Sequence, residues 1–113
     1  MAKYTKYLTG SFDEVLDRIH KGILDGSVSA SYEDGSDCRF DDVRSAVRVY
    51  ERYSAFGGNR VSLNVTLTGK ENNLFLTAIT SGGSQAMLFK MNTFGEEAFL
   101  ECLIDVVEGE SNP

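Results

Sequence analysis

The chain has 113 residues, with 11 Lys and Arg against 17 Asp and Glu, giving a formal net charge of −6. That length can bury roughly 65% of its unfolded surface around one core. An apolar fraction of 42% with 25% charged residues excludes wholesale disorder. The acidic balance argues against nucleic acid, and no apolar run reaches the ~18 residues of a membrane span. Two cysteines are too few for a disulfide scaffold, and Met1-Ala2-Lys3-Tyr4-Thr5-Lys6 lacks the apolar run of a secretory signal. The expectation is one soluble, cytoplasmic domain over 1–113, with 110–113 as a frayed tail.

Residues 3–8 carry some β preference and close on Thr9-Gly10. Ser11-Phe12-Asp13-Glu14 has the form of a capping box, with two carboxylates placed at the positive end of a helix dipole. Phe12, Val15, Leu16, Ile19 and Ile23 follow at helical spacing, and Gly26 is placed to stop the helix. The spacing predicts a helix over about 12–25.

The middle of the chain reads as β. Val28 to Tyr32 alternates, Glu33-Asp34-Gly35-Ser36 reads as a turn, and Cys38-Arg39-Phe40 as a short strand. A long alternating run from Val43 to Tyr53 has Val43, Ser45, Val47, Val49, Glu51 and Tyr53 on one side, which is expected to face the core. Gly57-Gly58-Asn59 suits a tight reversal. Arg60 to Thr68 then alternates cleanly, with Val61, Leu63, Val65 and Leu67 on one face. Leu74–Thr80 and Gln85–Met91 read as two further strands flanking Ser81-Gly82-Gly83-Ser84. Thr93-Phe94-Gly95-Glu96 repeats the capping-box form and opens a second helix over about 94–108, with an acidic outer surface.

The order β-α-β(4–6)-α, with short turns between successive strands, predicts a two-layer α+β domain. A curved antiparallel sheet of about five to seven strands packs against both helices. The helix-grip arrangement, in which sheet and C-terminal helix clasp a ligand, is one version of that plan by analogy of element order alone.

The most unusual local pattern is the other face of the 43–53 run, where Arg44, Arg48 and Arg52 recur with Tyr50 between two of them and Arg60 follows. Guanidinium groups pair with carboxylate or phosphate, so these residues are candidates for a small anionic ligand or an acidic protein surface. The plainer reading is a solvated face whose arginines meet neighbouring elements. Glu51 falls among apolar neighbours on the expected core face, where a carboxylate needs a partner or titrates high. Gln85 is a candidate polar contact beside the glycine-rich stretch. That stretch lacks the Gly-Lys-Ser/Thr ending of a phosphate-binding loop. His20 is the only histidine and has no second ligand at metal spacing, and Cys38 and Cys102 form no metal or redox motif. No cofactor is implied.

Three segments taken together are familiar. Val49-Tyr50-Glu51-Arg52-Tyr53-Ser54 leads into Gly58-Asn59-Arg60-Val61-Ser62-Leu63. Ser81-Gly82-Gly83-Ser84-Gln85-Ala86 precedes Phe89, and Phe94-Gly95-Glu96-Glu97-Ala98-Phe99 opens the last helix. The combination resembles a family of small bacterial proteins, common in Firmicutes, known only as a domain of unknown function. The resemblance runs from Phe12 to the last helix and implies an intracellular bacterial protein. It transfers no substrate, cofactor or catalytic residue. The leading expectation is a non-enzymatic domain that binds a small molecule or a protein. The alternatives are a homo-oligomeric accessory module and, behind it, an enzyme using Glu51 as acid or base.

Overall fold

The computed structural model describes residues 1–27, 29–53, 60–82 and 89–110, with side chains of the last segment described from 96 to 109. The elements in chain order are β1 (Ala2–Thr9), α1 (Phe12–Gly26), β2 (Ser31–Phe40), β3 (Val43–Tyr53), β4 (Arg60–Lys70), β5 (Asn73–Gly82) and α2 (Phe89–Glu110). This is the expected α+β plan with five strands in one curved sheet. The sheet order is β1-β5-β4-β3-β2 and every pairing is antiparallel, so the first strand closes against the last.

α1 starts as its capping sequence predicts, with the Ser11 hydroxyl accepting from the Glu14 amide at 3.3 Å. Its apolar stripe of Phe12, Leu16, Ile19 and Ile23 is buried against Leu63, Leu67 and their neighbours on the sheet. α2 adds Phe99, Leu100, Leu103 and Val107 to the same core. The two helices approach closely where α1 has no side chain. A Cβ on Gly22 would stand 2.1 Å from a methyl of Val106. α2 is also tied to β1, because Glu108 accepts from the Tyr4 hydroxyl and, at 2.8 Å, from Lys6 Nζ.

Several sequence expectations need correction. The turn expected at Glu33-Asp34-Gly35-Ser36 lies inside β2, which runs unbroken from Ser31 to Phe40. The extra residue is absorbed by an irregular register between Tyr32 and Asp34, as in a β-bulge. The strand expected over 85–91 does not reach 91, because Phe89, Lys90 and Met91 already belong to α2; residues 85–88 lie outside the described residues. A short apolar run cannot distinguish a strand from a helical turn by periodicity. α2 therefore begins five residues before the expected 94, and Thr93 and Glu96 are inside it rather than at its cap. Buried Glu96 instead pairs with the N-terminal ammonium.

The largest correction concerns β3. Its covered face carries Arg44, Ala46, Arg48, Tyr50 and Arg52, paired in register with Gly69, Leu67, Val65, Leu63 and Val61 of β4. Ala46 and Tyr50 are fully buried under the helix layer, whereas Val47, Val49 and Glu51 look out from the other face. The sheet thus has one face under both helices and one face without a helix among the described residues.

The packing gives a direct test. Phe99 is fully buried between the helices and the sheet, so Phe99→Ala is expected to lower stability by about 3–5 kcal/mol, read from the urea midpoint at unchanged m-value.

Candidate functional site

The candidate site is built along β3, where α1 lies over the strand in the same chain direction. From Asp13 to Ser27 the helix rises about 21 Å, and from Arg44 to Arg52 the strand rises about 26 Å. The rises are close enough for successive contacts to stay in step. At the first, Arg44 Nη2 donates to Asp13 Oδ1 at 2.9 Å while its guanidinium carbon lies 4.2 Å from the Phe12 ring centre. In the middle, the Tyr50 hydroxyl is 2.8 Å from Nδ1 of His20. At the end, Arg52 Nη1 donates to the Ser27 hydroxyl at 3.1 Å, and its guanidinium stands over the Phe99 ring at 4.9 Å.

The edge strand adds a second wall. Tyr32 of β2 lies opposite Tyr50, with ring centres 5.7 Å apart, and its ring meets His20 edge-on at 5.4 Å. Gly35 is opposite Arg48, and a Cβ there would fall 2.6 Å from the Tyr32 hydroxyl and 2.7 Å from the Val47 carbonyl oxygen. Its bare backbone lets Tyr32 and Arg48 close over the strand. Arg48 forks onto Asp37, with Nη1–Oδ1 at 2.6 Å and Nη2–Oδ2 at 3.3 Å, and also donates to the Val47 carbonyl. The result is a step between α1 and the β2–β3 hairpin. His20 and the 45%-exposed Tyr32 form its aromatic part, and Arg48 and Arg52 flank them.

Charge along the step is uneven. The Asp37 and Asp13 carboxyls are held below the usual carboxylate range by hydrogen bonds from Arg48 and Arg44, which are in turn raised. Tyr50 is pushed up to about 12, chiefly by burial, so its O–H stays intact at neutral pH and is no proton shuttle there. Arg52 differs from its neighbours. Among the described residues no carboxylate pairs with it, and its buried Nε has no hydrogen-bond partner. A buried donor of that kind calls for an acceptor.

The other sequence candidates do not converge here. Glu51 is half-buried on the opposite face and pairs with Arg60, so the expectation of a core carboxylate is corrected; β3 turns it outward because Tyr50 and Arg52 point in. Arg60 is exposed, lies over the Tyr53 ring at 5.7 Å and reaches Glu33 at 3.8 Å. His20 and Glu51 are separated by the sheet. Gln85 lies outside the described residues, as does the reversal at Gly57-Gly58-Asn59. Sequence reading missed Tyr32, Asp37 and Ser27; only the alternation ending at Tyr32 hinted at one of them. A groove of about 550 Å³ lies elsewhere, between α1 and α2, but its rim alternates solvated Asp17, Arg18, Lys21 and Asp105 and recommends no ligand. No group of three His, Cys, Asp or Glu among the described residues is placed to hold a metal ion. No helix among them is long and apolar enough to cross a membrane.

Comparison with known proteins adds one assignment. The sequence matches the family described as "Family of unknown function (DUF6054)" over residues 1–110, and the chain belongs to that family. No curated protein matches it. The crystal structure of TTHA0849 from Thermus thermophilus is similar at 11% sequence identity and a TM-score of 0.31, covering 98% of this chain and 99% of that one. At that score the likeness bears on neither fold nor function.

The ion pairs along the step, together with the tie of Glu108 to β1, set a pH response. Asp13, Asp37 and Glu108 have lowered folded values, so their contribution to stability is present above the ordinary carboxylate pKa and is lost as pH falls through those lowered values. The urea midpoint is expected to drop as the pH is lowered through and below the ordinary carboxylate range of about 4. A double variant, Asp13→Asn with Asp37→Asn, is expected to flatten that drop. Tyr50→Phe is expected to cost about 0.5–1.5 kcal/mol through the lost His20 bond, again by urea titration.

Proposed function

We propose that this member of family DUF6054 is a non-enzymatic binding domain whose ligand is a small anionic molecule with a planar or apolar body. It is held on the step between α1 and the β2–β3 hairpin. The observation that carries the reading is Arg52: a guanidinium under the helix layer, stacked on Phe99, with one buried N–H unanswered and no carboxylate paired with it among the described residues. A carboxylate or phosphate oxygen is the acceptor that such a group suits best. Arg48 stands two repeats away on the same face of the strand, and its partner Asp37 is 53% exposed. The rings of Tyr32 and His20 offer the apolar contact beside the two cations.

The separation of His20 from Glu51 by the sheet supports binding over acid–base catalysis. The setting we propose is the bacterial cytosol. Its support is the pair of free cysteines, half-buried Cys102 and exposed Cys38, which suits a reducing compartment.

Native mass spectrometry of the full chain purified from its own host is expected to find a retained small molecule. Arg48→Ala combined with Arg52→Lys is expected to lose most of it while the far-UV circular dichroism stays unchanged. A wild-type chain carrying no small molecule, or a retained one indifferent to both substitutions, overturns the reading.

A further inference from the structure

The sheet face opposite the helices has a charge pattern of its own. The strand registers place its outward residues in rows that cross all five strands. One central row is Thr5, Thr77, Thr66, Val47 and Ser36; the next is Tyr7, Phe75, Thr68, Ser45 and Cys38. Neither row contains a charge, in a chain where 25% of residues are charged. Tyr7 is 82% exposed and its ring leans on Phe75 at 4.6 Å between centres. On one side of these rows lies a third, running Lys3, Ile79, Asn64, Val49 and Asp34, with a cation at the β1 edge and an anion at the β2 edge.

We propose that this face is the contact surface between two copies of the chain, packed sheet against sheet about a two-fold axis parallel to the strands. Area, charge and edge chemistry support that occupant independently of the ligand step, which uses the other face. Five strands at about 4.8 Å spacing and some nine residues at about 3.3 Å cover roughly 700 Å², near the ~800 Å² each partner gives to a standard interface. Two chains of net charge −6 repel, and the two uncharged rows give them a central surface on which to meet, with Glu51 and Lys70 left to the outer rows at the rim. A two-fold along the strands lays β1 of one copy over β2 of the other. Each Lys3 then faces an Asp34 of the second copy, twice by symmetry. The edges are poor alternatives: β2 carries Glu33, Asp34 and Asp37 with an irregular register, and β1 carries Lys3 and Lys6.

Sedimentation equilibrium on the full chain is expected to give the mass of two copies. Thr66→Glu puts a carboxylate at the centre of the face and is expected to weaken dimerisation on the order of 100-fold, while the circular dichroism and urea midpoint of the monomer stay near wild type. Thr66→Val should leave the dimer intact and so controls for a folding defect. Lys3→Asp alone is expected to weaken the dimer about 5-fold, and adding Asp34→Lys to restore it. A wild-type monomer overturns the proposal, as does a different protein partner in place of the second copy. So does a dimer that Thr66→Glu leaves untouched, or a Lys3→Asp defect that Asp34→Lys does not repair.

Discussion

The seam between α1 and the covered face of β3 is the constraint on which the rest of the arrangement depends. A strand whose inward residues are Arg44, Ala46, Arg48, Tyr50 and Arg52 offers one small side chain, one large ring and three cations to a helix layer. That surface can be buried only if each cation has its charge answered or its stem covered. α1 supplies Asp13 and Phe12 to Arg44, His20 to Tyr50, and the Ser27 hydroxyl just past its end to Arg52. Because helix and strand advance at comparable rates, fixing one contact brings the others within reach. The position of α1 then leaves room for α2 over β1, β5 and β4, and exposes the outer part of β2 as a shelf.

Much of this plan was legible from the sequence, for reasons visible in particular residues. The capping box at Ser11 and the stripe from Phe12 to Ile23 agree with each other, and α1 formed where they point. β4 has apolar residues on one face and Ser, Asn and Thr on the other, so its orientation was unambiguous. At β3 the alternation misleads, because its apolar residues are split between both faces. Val43, Val47 and Val49 outnumber Ala46 and Tyr50, and arginine is ordinarily scored as solvent-facing. What decides the matter is the register with β4, which aligns Tyr50 with Leu63 and Ala46 with Leu67, and that pairing is not local information. The step itself was half legible: its arginines stand out in the sequence, but Asp37 and Tyr32 come from a strand whose local residues read as interrupted by a turn. Glycine at position 35 suggested a reversal, whereas it serves a close approach between neighbouring strands.

The two faces of the sheet divide the chemistry. Under and beside the helices, charges are numerous and mostly paired, and Arg52 alone of the three seam arginines has no carboxylate partner among the described residues. Across the open face, Thr, Ser and Val supply modest apolar area with hydroxyls that can pair among themselves, as Ser45 with Thr68 and Ser62 with Ser81. The net charge of −6 is therefore an average over unlike surfaces: acidic on the outer side of α2, nearly neutral on the open sheet, and locally basic along the seam.

The pairing of β1 with β5 has a consequence for how the chain is made. Ala2 finds its partner at Thr80, so during synthesis β1 waits for β5, the last strand of its sheet. At ordinary synthesis rates of about 5–20 residues per second that wait is several seconds. During it, α1 and the β2–β3–β4 meander can assemble through contacts close in sequence, while β1 trails as an extended ribbon. Closing the sheet is a long-range step with a large loop to gather, and it belongs late in folding. The alternation Lys3-Tyr4-Thr5-Lys6-Tyr7 suits that interval, because its two lysines discourage premature pairing with another chain.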